Sequence, residues 1–272
     1  MTPYYEHAGI TIYHGDCRDV LADTVKSEDV VITDPPYDAQ THAGARTLGK
    51  EARASASTGK RRIVSSAVIE MGFDSLPTVD YTAELWRWAT RWCVVFCSVE
   101  MLGAYRDVAG AAWVRGGFWR RSDGAPQITG DRPGQPGEGL AIMHRAGKKR
   151  WNRGGHHAFW ECGVERDNRQ HPTQKPERLM EILVSDFSDR GEIILDPFMG
   201  SGTTLAAAKR LGRLCIGVEL EERYCEIAAR RLGQEALPLS FGDDDLSAPG
   251  ASSGRQEQEK DDDKNDDKTV AR

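Results

Sequence analysis

Short apolar runs alternate with amphipathic segments along most of this chain, and that alternation predicts its elements. Val30-Val31-Ile32, Trp92 to Ser98 (WCVVFCS), the run from Ile193 and Leu214 to Leu220 (LCIGVEL) show no wet face, so they read as strands covered on both sides. Gly9 to Asp16 (GITIYHGD) alternates like a half-exposed strand and ends in a polar turn. A 3.6-residue period predicts a helix over 80–91, with Leu85, Trp86 and Trp88 inward, and another over 101–109. Further helices are predicted from Pro176 to a stop at Gly191, from the glycine turn at 200–202 to Gly212, and over 221–232. Ala112 to Arg120 and Gly139 to His144 read as an antiparallel pair completing the sheet, whereas Gly154 to Trp160 reads as irregular. The order predicts an α/β fold with a mostly parallel, seven-stranded sheet and an antiparallel edge hairpin.

At 272 residues the chain can bury one large core. No run approaches the roughly 18 apolar residues of a membrane span. The opening MTPYYEHAG lacks a basic-then-apolar leader, so a cytoplasmic protein is expected. Cys17, Cys93, Cys97, Cys162, Cys215 and Cys225 form no CxxC pair, which fits free thiols in a reducing compartment. His156, His157 and Cys162 do not complete a zinc spacing, and no metal is expected. The net charge of −6 is concentrated in the tail: residues 243–272 hold ten acidic and five basic side chains, which leaves the body near −1. A nucleic-acid partner is therefore not excluded. The expected organisation is a body over 1–242, with a mobile basic loop at about 38–78 and a small insertion at about 120–170. An acidic tail follows over 243–272, too poor in apolar residues to fold.

The candidate chemistry lies where the runs end. Ile193 to Thr204 (IILDPFMGSGTT) reads as strand, glycine-rich turn and helix start. Its free helix-start N–H groups and the hydroxyls of Ser201, Thr203 and Thr204 are donors for an anionic ligand, unless the segment is only a sharp turn. Gly202 stands where a phosphate-binding loop needs lysine, so a nucleoside with a carboxylate tail fits better than a triphosphate. Glu219, about 20 residues on, is placed to accept ribose hydroxyls or is a surface acid at a strand end. Asp16 or Cys17 could reach a ligand; alternatively Asp16 caps the next helix. Asp29 to Tyr37 (DVVITDPPY) leaves a buried strand abruptly. Pro35 and Pro36 fix two φ angles and remove two N–H donors, so the turn presents carbonyls beside the Asp34 carboxylate and the Tyr37 ring. Such a donor-free corner suits an exocyclic amine on a flat ring. HPTQKP (171–176) opens a helix with Thr173 as cap and Lys175 near the ligand turn. Arg46, Arg61 and Arg62 in the first loop, and Arg145, Lys148, Lys149, Arg150 and Arg153 around Trp151, are DNA-contacting candidates or ordinary solvated loops.

DPPY, HPTQKP, DPFMGSGTT and GVELEERY, in this order, resemble the β-class DNA amino-methyltransferases, enzymes of adenine N6 and cytosine N4. The resemblance covers roughly residues 10–233. It implies a Rossmann-like S-adenosylmethionine-dependent methyltransferase fold, circularly permuted because the catalytic turn precedes the cofactor loop. By this resemblance Asp196, Phe198, Gly200, Ser201, Gly202, Thr203 and Thr204 hold the methionine half of the cofactor. Glu219 binds its ribose, Asp16 lies near the adenine, and Thr173 and Lys175 lie near its tail. Asp34 to Tyr37 form the catalytic turn, acting on adenine N6 or, alternatively, cytosine N4 of a flipped-out base in double-stranded DNA. The small region for target recognition leaves a homodimer open. A catalytically dead DNA-binding protein and an RNA or protein-amide methyltransferase are the rival readings. Ring-carbon methylation would need a cysteine nucleophile in a Pro-Cys turn, and none occurs.

Overall fold

The computed structural model describes residues 1–24, 28–36, 79–123, 130–131, 133–163 and 174–233. Tyr37, Arg46, Arg61, Arg62, Thr173, the loop at 38–78 and the tail at 243–272 lie outside the described residues.

The strands are β1 (Tyr5–His7), β2 (Ile10–His14), β3 (Val30–Thr33), β4 (Trp92–Cys97), β5 (Trp113–Arg121), β6 (Gly137–His144), β7 (Phe159–Cys162), β8 (Ile193–Asp196) and β9 (Leu214–Glu219). The helices are α1 (Cys17–Thr24), α2 (Val79–Ala83), α3 (Leu102–Ala109), α4 (Glu177–Phe187), α5 (Thr203–Arg210) and α6 (Glu222–Gly233). All strands join one sheet in the order β1-β2-β9-β8-β3-β4-β6-β5-β7. β2, β9, β8, β3 and β4 run parallel, while β6 is antiparallel to both β4 and β5.

Alternation within the buried strands feeds two cores. Val30, Ile32, Trp92, Val94 and Phe96 pack with Leu179, Leu183, Phe187 and Leu205 from α4 and α5. Val31, Cys93, Val95 and Cys97 pack with Ala83, Tyr105 and Ala109 from α2 and α3 on the opposite face. Both faces are covered, which is why these strands are apolar at every position but Thr33.

Among the described residues the sheet has nine strands rather than seven. β1 and β7 are short and partly exposed, three and four residues long, so neither leaves a clear period-two signal. β7 pairs parallel with β5, so the β5–β6 pair lies inside the sheet rather than at its edge. The expected helix over 80–91 is also shorter. It breaks into α2 and a 3-10 turn at Leu85–Trp88. There Glu28 N–H donates to Trp88 O at 2.7 Å and Thr90 N–H to Glu28 O at 2.6 Å, which draws the backbone out of the helix. α4 ends at Phe187, before the expected stop at Gly191.

Candidate active site

β3 and β8 are hydrogen-bonded neighbours, with Val30 beside Ile194 and Val31 beside Leu195. The DPPY turn leaves the carboxyl end of β3 and the glycine turn leaves the carboxyl end of β8. The two turns therefore emerge side by side at the end of the sheet where ligands of open α/β folds bind. The strand ahead of one turn anchors the other: Thr33 Oγ1 donates to Asp196 Oδ1 at 2.6 Å.

Asp196 organises the glycine turn. Its Oδ1 also accepts from Phe198 N at 3.1 Å, and the Thr204 hydroxyl bonds the same carboxyl. Burial pushes its pKa up to about 6, with the nearby Asp34 charge adding to the rise and these hydrogen bonds opposing it. Gly202 adopts φ +78° at the cap of α5, and a Cβ there would stand 2.9 Å from Ala228 Cβ, so only glycine fits. Gly200 has φ +51° and open space where a Cβ would be. Beside that opening Glu219 Oε2 accepts from Gly200 N at 3.0 Å and Oε1 from Glu221 N at 2.8 Å. Burial raises the Glu219 pKa, and these N–H groups oppose the rise. Bare backbone, an adjacent carboxylate at a strand end and neighbouring Ser and Thr hydroxyls fit an adenosyl ligand with a charged amino-acid tail.

Gly15 N–H donates to Glu219 O at 2.9 Å, which brings Asp16 and Cys17 to the same end of the sheet. Asp16 serves there as the cap of α1: its Oδ1 accepts from Arg18 N at 2.8 Å and from Arg18 Nε at 2.9 Å. The Arg18 hydrogen bond holds its pKa below the ordinary carboxylate value. The Cys17 thiol is buried, which pushes its pKa up to about 11. It packs with Val20 and Val218 against Tyr81 and Phe198.

Lys175 lies against Asp34, at the turn that leaves β3. Its Nζ donates to Asp34 Oδ2 at 2.6 Å, pairs with Glu138 Oε2 at 2.9 Å and stands 4.9 Å from the centre of the Phe96 ring. Next to it Gln174 Oε1 accepts from Ser201 Oγ at 3.4 Å, which ties the HPTQKP segment to the glycine turn. The cap position of α4 belongs to Pro176, not Thr173. Pro35 is buried in the turn.

Sequence reasoning missed Thr33, Tyr81, Gln174 and Glu138. Glu138 carries a visible signal: it is an acid between Gly137 and Gly139 at the head of an otherwise apolar strand. A Cβ on Gly137 would fall 1.8 Å from Trp119 O, so glycine lets β6 close on β5 there.

The second basic cluster is not brought to this site. β6 runs against β4, pairing Gly139 with Cys97 and His144 with Trp92, so the chain reaches Arg145 at the opposite end of the sheet. The backbone N–H of Arg145 donates to Arg91 O at 3.0 Å, and Trp92 Nε1 donates to Arg150 O at 2.5 Å. Trp151 is not displayed for stacking; its ring packs 5.1 Å from Phe187 and 6.2 Å from Trp160. Arg150 pairs with Asp189, and Arg153 with Asp186 at 3.5 Å. Lys148 and Lys149 are exposed at this far end. Among the described residues no group of three His, Cys, Asp or Glu side chains could hold a metal ion, and no helix is long and apolar enough to cross a membrane.

Residues 113–230 match the family model described as DNA methylase, the N6/N4 methyltransferases. The chain is 51% identical over 72 residues to the type II methyltransferase M2.DpnII of Streptococcus pneumoniae, covering 26% of this chain and 27% of that protein. It is 26% identical over 256 residues to the type II methyltransferase M.HinfI of Haemophilus influenzae, covering 82% of this chain and 68% of that one. The solved M1.HpyAVI–SAM complex superposes with a TM-score of 0.58 at 25% identity, covering 82% of this chain and 99% of that one. Over residues 113–230, therefore, the chain is similar to the N6/N4 DNA methylases, and its fold is that of the solved M1.HpyAVI–SAM complex.

Proposed function

We propose that the protein transfers a methyl group from S-adenosylmethionine to the exocyclic N6 amine of adenine in double-stranded DNA. The observation that carries this reading is the adjacency of the two turns: a rigid, donor-poor corner headed by Asp34 beside an open glycine bend. Asp196, Phe198, Gly200 to Thr204 and Glu219 are assigned to the cofactor, with Asp16 and Cys17 at the rim of its site. When bound, the cofactor supplies a methyl carbon on a cationic sulfur, an electrophile that needs no further activation.

The protein's task is the amine, whose lone pair is delocalised into the base. The Asp34 carboxylate and the Pro35 carbonyl accept its two hydrogens, which returns electron density to the nitrogen. As nitrogen gains its new carbon it loses one proton, and Asp34 is the acceptor. Positioning and fixed acceptors supply the acceleration, with no covalent enzyme intermediate. A base stacked in a duplex cannot enter this corner, so it must be extruded, with Tyr37 as its stacking partner. Residues 1–242 act as the catalytic body, and target recognition falls to the loop at 38–78 and to the region at 120–170 apart from Arg145 to Arg153, which lie at the far end of the sheet.

The test is incubation with methyl-labelled cofactor and duplex DNA, followed by separation of the hydrolysed nucleosides. Label in N6-methyladenine is expected. Label in N4-methylcytosine alone would replace adenine by cytosine, the other amine the family covers, and no label in either would refute the activity. Asp34→Ala is expected to bind cofactor and transfer no methyl.

A further inference from the structure

Asp34 does not have Lys175 to itself. The same Nζ donates to Asp34 Oδ2 at 2.6 Å and reaches Glu138 Oε2 at 2.9 Å, while the Lys175 side chain is only 9% exposed. Two carboxylates thus draw on one buried ammonium. Burial works against the Lys175 charge, but Asp34 and Glu138 outweigh it and hold its pKa above the ordinary value, so the cation persists. We propose that Glu138 is a positioning residue that sets the basicity of Asp34 by sharing Lys175 with it. The inference rests on the methyltransferase reading above.

The physical reason is charge balance. A lysine at hydrogen-bond distance and shielded from water lowers the proton affinity of a carboxylate. Paired with Asp34 alone, Lys175 would leave a neutral couple and a poor acceptor. With Glu138 drawing on the same ammonium, the trio carries one net negative charge and Asp34 keeps density for an incoming N–H. Phe96 beneath the ammonium keeps water from that side and fixes its height. Glu138 stands on β6, a strand pressed closely onto β5, and not on a loop that could swing away.

Other titratable groups also face Asp34 and Glu138. Among the described residues they include Asp196 on β8, Cys97 at the end of β4 and Tyr105 on α3, with Glu100 acting on Cys97. Burial pushes the Cys97 thiol up to about 12 and raises Tyr105, so both stay neutral through the working range. Asp196 titrates near 6, and comparing variants that share it removes its contribution.

The experiment is kcat against pH for wild type, Glu138→Gln, Glu138→Asp and Lys175→Met. In parallel, the Asp34 carboxyl carbon is titrated by NMR without substrate. Glu138→Gln removes the competing carboxylate from Lys175 and leaves its contact with Asp34 in place. Its acid limb should move down by about one pH unit, and its plateau kcat should fall about tenfold. KM for cofactor and DNA should hold within about twofold, since no substrate contact is lost. Glu138→Asp should recover part of the rate. Lys175→Met removes the shared ammonium from both carboxylates, so its limb should move up. An unchanged or upward shift in Glu138→Gln, or a KM effect with kcat intact, overturns the proposal, even if Lys175→Met fails to fold. If wild type transfers no methyl, the methyltransferase reading falls. The NMR shift in Glu138→Gln then still decides whether the two acids share the lysine.

Discussion

Replacing Asp196 by asparagine should stabilise the protein at neutral pH and leave it nearly unchanged in acid. Burial raises the pKa of this carboxyl from 3.8 to about 6. The folded state therefore favours the protonated form. Its contribution is intact below the unfolded value and is lost as pH rises through the folded one. A shift of about two units corresponds to about 3 kcal/mol of penalty at pH 8, an upper bound for a site that can relax. Asparagine carries no charge and can keep the contacts. Its amide oxygen can still accept from Thr33 Oγ1 and Phe198 N, and its amide nitrogen can donate to Thr204. Urea-unfolding free energies of both proteins at pH 4, 5, 6 and 8 measure the difference directly. The gap should open mainly between pH 4 and 6. Because the Asp34 charge contributes to the rise, adding Asp34→Asn to both backgrounds should narrow it. A gap independent of pH, or a less stable Asp196→Asn at pH 8, would refute the assignment of a penalised charge.

Three further outcomes follow from packing and charge. Gly202→Ala forces a Cβ to φ +78° and to within 2.9 Å of Ala228, so it should cost about 1–3 kcal/mol and weaken cofactor binding, read by calorimetric titration. Trp151→Ala removes a ring packed on Phe187 and Trp160 and should cost about 2–4 kcal/mol in thermal unfolding, whereas Lys148→Ala/Lys149→Ala should change DNA affinity at fixed salt by less than about twofold, as groups remote from the site. Burial holds the His144 pKa below its ordinary 6.5, with Lys149 and Arg91 adding and its bond to Arg145 O opposing. The unfolded chain thus takes up the proton first and stability falls as pH drops below about 6.5, so the decline should be shallower in His144→Gln when melting temperatures are compared from pH 7.5 to 5.5.

The alternation of two-sided apolar runs with amphipathic segments was sufficient to announce a layered α/β protein, because residues buried on both faces must be apolar whatever surrounds them. The DPPY and glycine turns were legible for a similar reason. Two prolines, or two glycines with positive φ, constrain the backbone locally and leave a mark in the sequence. Other features depended on where distant segments meet. That Lys175 grips Asp34 and Glu138 arises from α4, β3 and β6 converging, and no local pattern encodes which carboxylate a lysine will find. The reversal of β6 carried Arg145 to Arg153 to the far end of the sheet and buried much of Trp151, although a basic segment around an aromatic reads the same at either end. β1 and β7 belong to the sheet only through pairing with β2 and β5, since strands of three and four residues are defined by their partners more than by their own periodicity.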